Sequence, residues 1–290
     1  MNNIPLIISQ ILKCNTQRIT NITPLKKGMT NHSYTFIYNE EKYILRIPGE
    51  GTNNLIDRQK EYDIYQKIAP LNIGDNVVYM NPTSGYKITK FWENARVCNP
   101  QNLNDVSACM ATLRQFHSKK LQVNYSFCPF EKIEFYESLW NTGSIYPDYA
   151  ETKAKVMSLK NQLTKFPQKL GLSHIDSVPD NFMFIENDQI RLIDWEYAAM
   201  YDQHIDIAMF AVYAMYDKFM VDQLIAAYFL DNKPHNYVYL YICVCGLLWS
   251  NWCEYKQQLG IGFGEYALKQ YKFAQDYFAI FNATKDVDNG

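Results

Sequence analysis

The sequence predicts an α+β protein with a small, β-rich N-terminal lobe and a large, mainly helical C-terminal lobe. The chain has 290 residues, which is long for one hydrophobic core and favours two lobes. Its first ninety residues hold short β-branched and aromatic runs, whereas most long stretches after residue 92 have helical apolar spacing. We therefore predict a lobe over residues 1–92, ending in a short hinge, and a second lobe over residues 93–290.

The N-terminal lobe is predicted to be a small sheet with one inserted helix. A helix over residues 5–14 precedes four strand-like runs, HSYTFIYN, EEKYILRI, NVVYM and GYKITKFW, which are bounded by Gly, Asn or Pro. Asn39, Glu40 and Glu41 separate the first two runs at the length of a hairpin turn. The segment IDRQKEYDIYQKIA, between the second and third runs, has helical spacing.

The C-terminal lobe is predicted to be helical, with one hairpin set into it. The hairpin is the segment FMFIENDQIRLIDW, in which two short apolar runs are joined by a turn at Glu186–Gln189. The predicted helices are VSACMATLRQFHSK, YAETKAKVMSLKNQLTKF, DIAMFAVYAMYD, VDQLIAAYFL, YVYLYICVCGLLWSNWCEYKQQ and EYALKQYKFAQDYFAIF.

Composition and charge exclude several classes of function. A net charge of −2 offers no basic surface for a nucleic acid backbone. The seven cysteines are odd in number and form no CxxC pair, which predicts reduced thiols in a cytoplasmic protein without a zinc site. The N-terminus lacks the features of a signal peptide, and the most apolar run, residues 237–252, is too short for a membrane span. A monomer and a homodimer are both open.

The stretch SHIDSVPDN, residues 173–181, concentrates polar groups that are costly to bury unless they are used. It directly precedes the hairpin, and Asp194 closes the second strand, so we expect Asp176, Asn181 and Asp194 near one another at the mouth between the lobes. Phosphoryl transfer needs such a set. One carboxylate, Asp176, would accept the proton of the attacking hydroxyl, while an amide oxygen and a second carboxylate would hold Mg²⁺ on nucleotide phosphates.

Two other interpretations of the same residues stay open at this point. A metal-dependent hydrolase could use these residue types, although such sites usually take more histidine ligands than the five His of this chain supply close together. The loop alone could also be a solvated turn rich in Asp and Asn. In the phosphotransfer interpretation, His174 supports the loop through hydrogen bonds to backbone.

The pattern HIDSVPDN followed, after a hairpin, by LIDWEYA resembles the choline kinase and aminoglycoside phosphotransferase superfamily. The N-terminal segments LKKGMTNHSYTF and YILRIPGEGTNNLIDRQKE are similar to the nucleotide loop, strand and helix of bacterial choline kinases. The resemblance covers nearly the whole chain and implies a protein-kinase-like two-lobe fold that uses ATP and Mg²⁺. It also implies that Asp206 braces the catalytic loop by accepting backbone N–H groups.

The resemblance implies roles on the nucleotide side. Arg46 takes the position where protein kinases keep a lysine, and a guanidinium can clamp phosphate oxygens bidentately. Glu61 would pair with Arg46 and hold it forward. Further implied nucleotide contacts are the phosphate loop with Gly28, Thr30 and Asn31, the adenine hinge with Lys90, Phe91 and Trp92, and Ile193 beneath the adenine ring.

The acceptor side is read from aromatic residues. Trp249 and Trp252 are three residues apart, as are Tyr213 and Tyr216, so each pair shares a helix face. A quaternary ammonium group donates no N–H hydrogen bond and is held by aromatic faces. The resemblance to choline kinases implies that a box of such aromatic residues binds choline. The candidate acceptor-side residues are Asp176, Glu196, Tyr197, Tyr213, Tyr216, Trp249, Trp252 and Tyr266.

Several alternatives remain for the acceptor side. Aromatic residues at helical spacing are more often core than ligand contacts. An aminoglycoside would call for a strongly acidic pocket, whereas the C-terminal region holds only scattered acids. Ethanolamine has a primary ammonium group, so its binding would require hydrogen-bond acceptors in the aromatic box. A non-catalytic binding protein of the same superfamily would be expected to lack Asp176, Asn181 or Asp194, and all three are present.

Overall fold

The computed structural model describes residues 3–25, 31–49, 52, 55–186, 189–231 and 233–284. The chain forms two compact units: unit 1 is Met1–Val97 with Asn181–Ala198, and unit 2 is Cys98–Asp180 with Ala199–Gly290. The division differs from the predicted lobes 1–92 and 93–290. The first boundary lies at residues 97–98, and the hairpin expected within the helical lobe belongs to unit 1.

Unit 1 contains an antiparallel five-stranded sheet with the order β1-β2-β3-β5-β4. Its core is an apolar cluster that includes Phe36, Leu45 and Ile88, all with no solvent exposure. The sheet is accompanied by two helices. The elements are α1 (Ile4–Leu12), β1 (Ile19–Pro24), β2 (Asn31–Tyr38), β3 (Glu41–Pro48), α2 (Arg58–Ile68), β4 (Val77–Met80) and β5 (Lys87–Lys90).

Local chemistry explains the boundaries of these elements. Asn39 and Glu40 both have positive φ, 50° and 66°, which is the backbone of a tight two-residue hairpin turn between β2 and β3. The side chain of Asp57 accepts the backbone N–H of Lys60 and thereby caps the start of α2. The four strands and the two helices predicted from the sequence are present, and β1 is an additional strand that the sequence analysis did not identify.

The hairpin of residues 181–198 belongs to unit 1 because a short strand of that unit pairs with it. Strand β6 (Arg96–Val97) is antiparallel to β8 (Phe182–Phe184), which in turn pairs with β9 (Ile190–Leu192). The Arg96 guanidinium also lies 4.1 Å from the centre of the Phe184 ring. Periodicity within the hairpin could not show this pairing, since its partner strand has only two residues.

Unit 2 is built around the long helix α9 (Tyr237–Gln258), most of whose residues are buried. Gly246 allows α10 (Glu265–Thr284) to approach closely, since a Cβ there would lie 2.8 Å from the Gln270 carbonyl oxygen. The other helices are α3 (Leu103–Ser118), α4 (Pro129–Ser138), α5 (Tyr149–Ser158), α6 (Lys160–Leu163), α7 (Ile205–Ala214) and α8 (Lys218–Phe229).

Unit 2 also holds a two-stranded antiparallel sheet, β7 (Leu170–Ser173) with β10 (Ala199–Asp202). This pair and helix α4 were not predicted from the sequence, whereas the six predicted helices are present, one of them split into α5 and α6. All seven cysteines are free thiols, as expected. Within the residues that the structure describes, no helix is long and apolar enough to cross a membrane.

Candidate active site

A buried ion cluster in unit 1 surrounds Arg46 on strand β3. Its Nη2 donates to Glu61 of helix α2, and its Nη1 lies 2.9 Å from Asp194 and 3.4 Å from Glu196. Arg46 and Glu61 are 6% and 0% exposed. We call this set the Arg46 cluster; it comprises Asn31, Arg46, Arg58, Glu61, Asp194 and Glu196.

The sequence analysis expected the Arg46–Glu61 pair but missed Arg58, which also ion-pairs with Glu61 and Glu196 at 3.0 and 3.5 Å. Burial alone would raise the pKa of Glu61, yet the positive charges of Arg46 and Lys87 outweigh it and lower that pKa. Burial, followed by the negative charge of Asp194, raises the pKa of Glu196. The cluster is therefore closely balanced in charge and costly to break.

Asp194 lies where the hairpin ends, and its backbone is in the left-handed region with φ of 64°. Its neighbour Ile193 donates its N–H to the carbonyl oxygen of Asn181 at 2.9 Å, so the predicted metal ligands Asn181 and Asp194 lie close together. The Asp194 side chain is 32% exposed, unlike the buried Glu61 and Glu196. An amide oxygen and an accessible carboxylate are the oxygen donors that Mg²⁺ prefers.

The carboxylates of Glu61, Asp194 and Glu196 have oxygens within 4.8 Å of one another, which is also compatible with a bound cation. The guanidinium of Arg46 already lies among these three groups and compensates their charge. Asp194, the most exposed of the three carboxylates, therefore fits the metal of a nucleotide complex better when it acts with the nearby Asn181. Glu196, expected on the acceptor side, is instead a member of this buried cluster, where it also accepts from the amide of Asn31 at 3.0 Å.

A second buried polar group in unit 1 lies against the backbone of Asp194 and was missed by the sequence analysis. Asp75 accepts from the Tyr65 hydroxyl and lies 3.4 Å from the Lys87 ammonium and 3.5 Å from the Asp194 backbone N–H. Burial would raise the pKa of Asp75, but the charge of Lys87 and the bond from Tyr65 lower it. These residues support the left-handed backbone at Asp194.

The predicted adenine hinge has fewer free donors than the sequence suggested. The backbone N–H of Lys90 donates to Asn76, and that of Phe91 donates to Lys42, at 2.9 and 3.0 Å. Trp92 is half-buried and follows the sheet directly, so of the three predicted hinge residues it is the best placed to offer a backbone group to adenine. Gly28 and Thr30, predicted for the phosphate loop, lie outside the described residues; Asn31 begins β2 and contacts Glu196.

In unit 2, the loop that carries Asp176 is held by Asp206 of helix α7. The Asp206 carboxylate accepts the backbone N–H groups of His174 and Ile175 at 2.9 and 2.8 Å, as the resemblance implied. Ile175 has φ of 69°, a strained conformation for a β-branched residue. The bracing therefore comes from Asp206 contacting the backbone, while the His174 side chain, predicted to support the loop, is fully buried.

Asp206 is itself supported by His117 of α3, whose ring Nε2 lies 2.9 Å from the carboxylate. The Nδ1 atom of the same ring lies 2.7 Å from the Tyr228 hydroxyl. Burial lowers the pKa of His117, although the bond to Asp206 partly opposes this. The neutral ring can then donate from Nε2 to Asp206 and accept from Tyr228 at Nδ1.

A chain of aromatic rings in unit 2 connects the predicted tryptophans with the loop that carries Asp176. The Trp249 and Trp252 rings pack edge to face at 5.0 Å, as expected for residues on one helix face. Tyr213, at the other end, donates its hydroxyl to Asp180 at 2.7 Å. We call this set the ring chain: successive centroids are 5.0, 5.3, 6.4 and 6.1 Å apart along Trp249, Trp252, Phe263, Tyr266 and Tyr213.

Asp176 interacts electrostatically with the two tyrosines of the ring chain, Tyr213 and Tyr266. Burial, then the hydrogen bond and charge of Asp180, then the charge of Asp176, raise the pKa of Tyr213. Asp176 and Asp180 also contribute to a raised pKa of Tyr266, for which burial is the largest cause. The predicted base and two of the predicted acceptor-side tyrosines are thus brought together within unit 2.

Two further predicted acceptor-side residues, Tyr216 and Tyr197, are not members of the ring chain. Tyr216 is 3% exposed, donates its hydroxyl to the carbonyl of Pro100, and packs on Phe210, which is the environment of a core residue. Tyr197 belongs to unit 1, where its carbonyl accepts from Lys60 at 3.2 Å. Phe263 is the ring that the sequence analysis missed; it lies in a glycine-rich segment, GIGFGE, without helical spacing.

Comparisons with known proteins identify relatives along most of the chain. The sequence model described as choline/ethanolamine kinase matches residues 22–241. Protein LicA of Haemophilus influenzae is 28% identical over 259 residues, covering 84% of this chain and 76% of that protein. The crystal structure of choline kinase LicA from Streptococcus pneumoniae has a TM-score of 0.85 at 26% identity, covering 96% of this chain and 100% of that one.

More distant structures share the fold alone. The aminoglycoside phosphotransferase APH(4)-Ia has a TM-score of 0.69 at 14% identity, covering 96% of this chain and 99% of that one. These comparisons confirm the predicted kinase-like fold, with its antiparallel sheet in unit 1 and its helices in unit 2.

Proposed function

The chain belongs to the choline/ethanolamine kinase family, and from this premise we propose that it transfers the γ-phosphoryl group of ATP to the hydroxyl of choline. It is an ATP-dependent choline kinase whose product is phosphocholine. Phosphoryl transfer is catalysed mainly by positioning and by compensating negative charge, so the proposal assigns each residue one of these tasks.

On the donor side, Arg46 steadies the nucleotide phosphates, and its bond to Glu61 fixes the position of the guanidinium. Asn181 and Asp194 would hold Mg²⁺ through an amide oxygen and a carboxylate oxygen. When bound, Mg²⁺ compensates the charge of the phosphate oxygens during transfer. Trp92 supplies a backbone contact to adenine, because the N–H groups of Lys90 and Phe91 are used within the sheet.

On the acceptor side, Asp176 accepts the proton of the choline hydroxyl as that oxygen attacks phosphorus. Asp206 fixes the loop backbone from which Asp176 projects. The ring chain offers aromatic faces to the trimethylammonium group, which cannot donate an N–H hydrogen bond. The free cysteines are consistent with the cytoplasm as the compartment of the reaction.

The observation that carries the proposal is the Arg46 cluster. A buried arginine bonded both to a helix glutamate and to an aspartate at the end of a hairpin is the arrangement that places a cation beside a metal ligand. A core serving only stability would not need four buried charged groups beside a partly exposed carboxylate, since buried ion pairs seldom add net stability.

The test is a coupled assay of ADP release with choline, ethanolamine, methylthioribose, thiamine and kanamycin as acceptors. We expect the largest kcat/KM with choline and dependence on added Mg²⁺. Turnover with ethanolamine in clear preference to choline would shift the acceptor within the family. Absence of turnover with every acceptor, combined with intact binding of ATP and choline in thermal-shift titrations, would favour a non-catalytic binding protein.

A further inference from the structure

Asp180 is an exposed residue of a short 3₁₀ turn, Pro179–Asn181, between the proposed base and the proposed metal ligand. In the sequence, Asp180 only separates Asp176 from Asn181. The structure gives it a partner, because the Tyr213 hydroxyl donates to its Oδ2 at 2.7 Å. This bond joins the loop that carries Asp176 to helix α7, at the tyrosine end of the ring chain.

The rings of the chain differ in how available their faces are. Trp252 is 2% exposed, packs between Trp249 and Phe263, and has the Lys256 ammonium 5.7 Å from its centroid. The protein's own cation thus lies near Trp252, which weakens its attraction for a second one. Tyr213 is only partly buried and has the carboxylate of Asp180 at its hydroxyl.

A carboxylate that accepts the hydroxyl proton of a tyrosine does two things. It removes rotational freedom from the hydroxyl and fixes the ring, and it draws the O–H proton away, so that electron density on the ring increases. The negative face of the aromatic quadrupole is then more attractive to a cation. The charge of the carboxylate itself adds a longer-range attraction of the same sign.

We propose that Asp180 is a specificity-determining, positioning residue, which acts through Tyr213 to favour a quaternary ammonium acceptor over an uncharged one. This inference rests on the proposed function, since it assumes that choline is the acceptor. Asp180 takes no proton and forms no covalent bond in the reaction. Its effect is on acceptor affinity, and it leaves the phosphoryl-transfer step to Asp176.

The experiment compares Asp180→Asn, Tyr213→Phe and the double variant with the wild-type chain. Each is measured for KM and kcat with choline, and for inhibition by 3,3-dimethylbutan-1-ol, an uncharged isostere of choline. We expect the choline KM to rise roughly three- to tenfold in either single variant, as for the loss of one partly screened charge. We expect kcat to stay within about twofold and the isostere's inhibition constant to stay unchanged.

The double variant should be no worse than the worse single variant, because both single changes remove the same hydrogen bond. Asp222→Asn is the matched control: Asp222 also accepts a tyrosine hydroxyl in unit 2, from Tyr239, but lies outside the ring chain. It should leave the choline KM unchanged. Thermal unfolding of every variant checks that the fold is retained.

An unchanged choline KM in Asp180→Asn would overturn the inference while leaving the choline kinase proposal intact. So would an equal weakening of choline and of the uncharged isostere, since that would indicate a packing role. Additive effects in the double variant would refute action through Tyr213. Absence of choline turnover by the wild-type chain would overturn the proposed function together with this inference.

Discussion

The Arg46 cluster of unit 1 and the ring chain of unit 2 hold their functional groups by different forces. In the cluster, buried charges fix one another, and Arg46 contacts three carboxylates. In the ring chain, neighbouring aromatic faces and edges set the positions, and Asp180 supplies a carboxylate at one end. Removing one partner of a buried charge pair lowers the free energy of unfolding sharply, because the other charge is left uncompensated. Trimming a packed ring lowers it in proportion to the contacts that are lost.

The largest expected effect concerns the chemistry that both regions serve. Asp176→Asn removes the proton acceptor while keeping the size of the side chain. We expect kcat with choline to fall about 10²- to 10⁴-fold, the usual contribution of a positioned general base. The measurement is steady-state ADP release, with ATP affinity followed separately by titration.

ATP binding should be nearly unchanged in Asp176→Asn, because the proposed nucleotide contacts belong to unit 1. Retained turnover would remove Asp176 from the role of base. Loss of nucleotide affinity together with turnover would show instead that the loop contributes to the donor side.

The second prediction tests how strongly the Arg46 cluster depends on single charges. Glu61→Gln leaves the guanidinium groups of Arg46 and Arg58 without their shared buried partner. We expect the free energy of unfolding in urea to fall by about 3–5 kcal/mol, as when one member of a buried ion pair is removed. The matched control is Glu151→Gln, which breaks an exposed pair with Lys155 and should cost far less.

A loss in Glu61→Gln as small as that in the control would contradict the contrast between the two regions. It would mean that Glu196 and Asp194 compensate both arginines on their own.

The third prediction concerns how the free energy of unfolding depends on pH through His117, which supports Asp206 in unit 2. Burial lowers the pKa of His117 in the folded chain below its ordinary value of 6.5, so the unfolded chain binds the proton first. The stability contribution is complete above that value and is lost as pH falls toward the folded-state pKa, at up to about 1.4 kcal/mol per pH unit. Urea unfolding between pH 7.5 and 5.5 measures this slope.

His117→Gln should flatten the slope, because glutamine does not titrate. An unchanged slope would show that another group is responsible. In unit 1, burial alone would lower the pKa of Arg46, but the negative charges of Glu61, Asp194 and Glu196 outweigh it and raise that pKa. The ion pairs of Arg46 therefore do not weaken through loss of the guanidinium charge over this range.

The smallest expected effect comes from a single ring. Phe263→Leu keeps an apolar side chain but removes the aromatic contacts to Trp252 and Tyr266. Such contacts contribute about 0.5–1.5 kcal/mol, so we expect the choline KM to rise roughly two- to tenfold with little change in kcat. A tenfold fall in kcat at constant KM would show that the rings position the hydroxyl rather than bind the cation.

The contrast between the regions also explains what could be predicted from the sequence. Asp176, Asn181 and Asp194 have fixed spacing around a hairpin, so the local pattern was enough to propose them as site residues. Arg58, Asp75 and Lys87 function through contacts made in the folded unit, and nothing in their local sequence indicates it. Such residues become recognisable only once the folded contacts are known.

The acceptor side shows the same limit from another direction. The spacing of Tyr213 and Tyr216 predicts one shared helix face for both. Tyr213 nevertheless lies in the ring chain, whereas Tyr216 donates its hydroxyl to Pro100 in the core. A spacing of three residues determines a shared face but not what that face packs against. Phe263 was missed because its glycine-rich segment has no periodicity.

The pairing of β6 with β8 has a consequence for dividing the chain into working pieces. Unit 1 is made from two segments, Met1–Val97 and Asn181–Ala198, so a fragment ending at residue 97 would lack Asp194 and Glu196. Arg46 would then lose two of its three carboxylate partners, and β6 would lose its neighbour. An isolated fragment of unit 1 would therefore need a new linker that joins residue 97 to the hairpin. Simple truncation of the chain does not yield such a fragment.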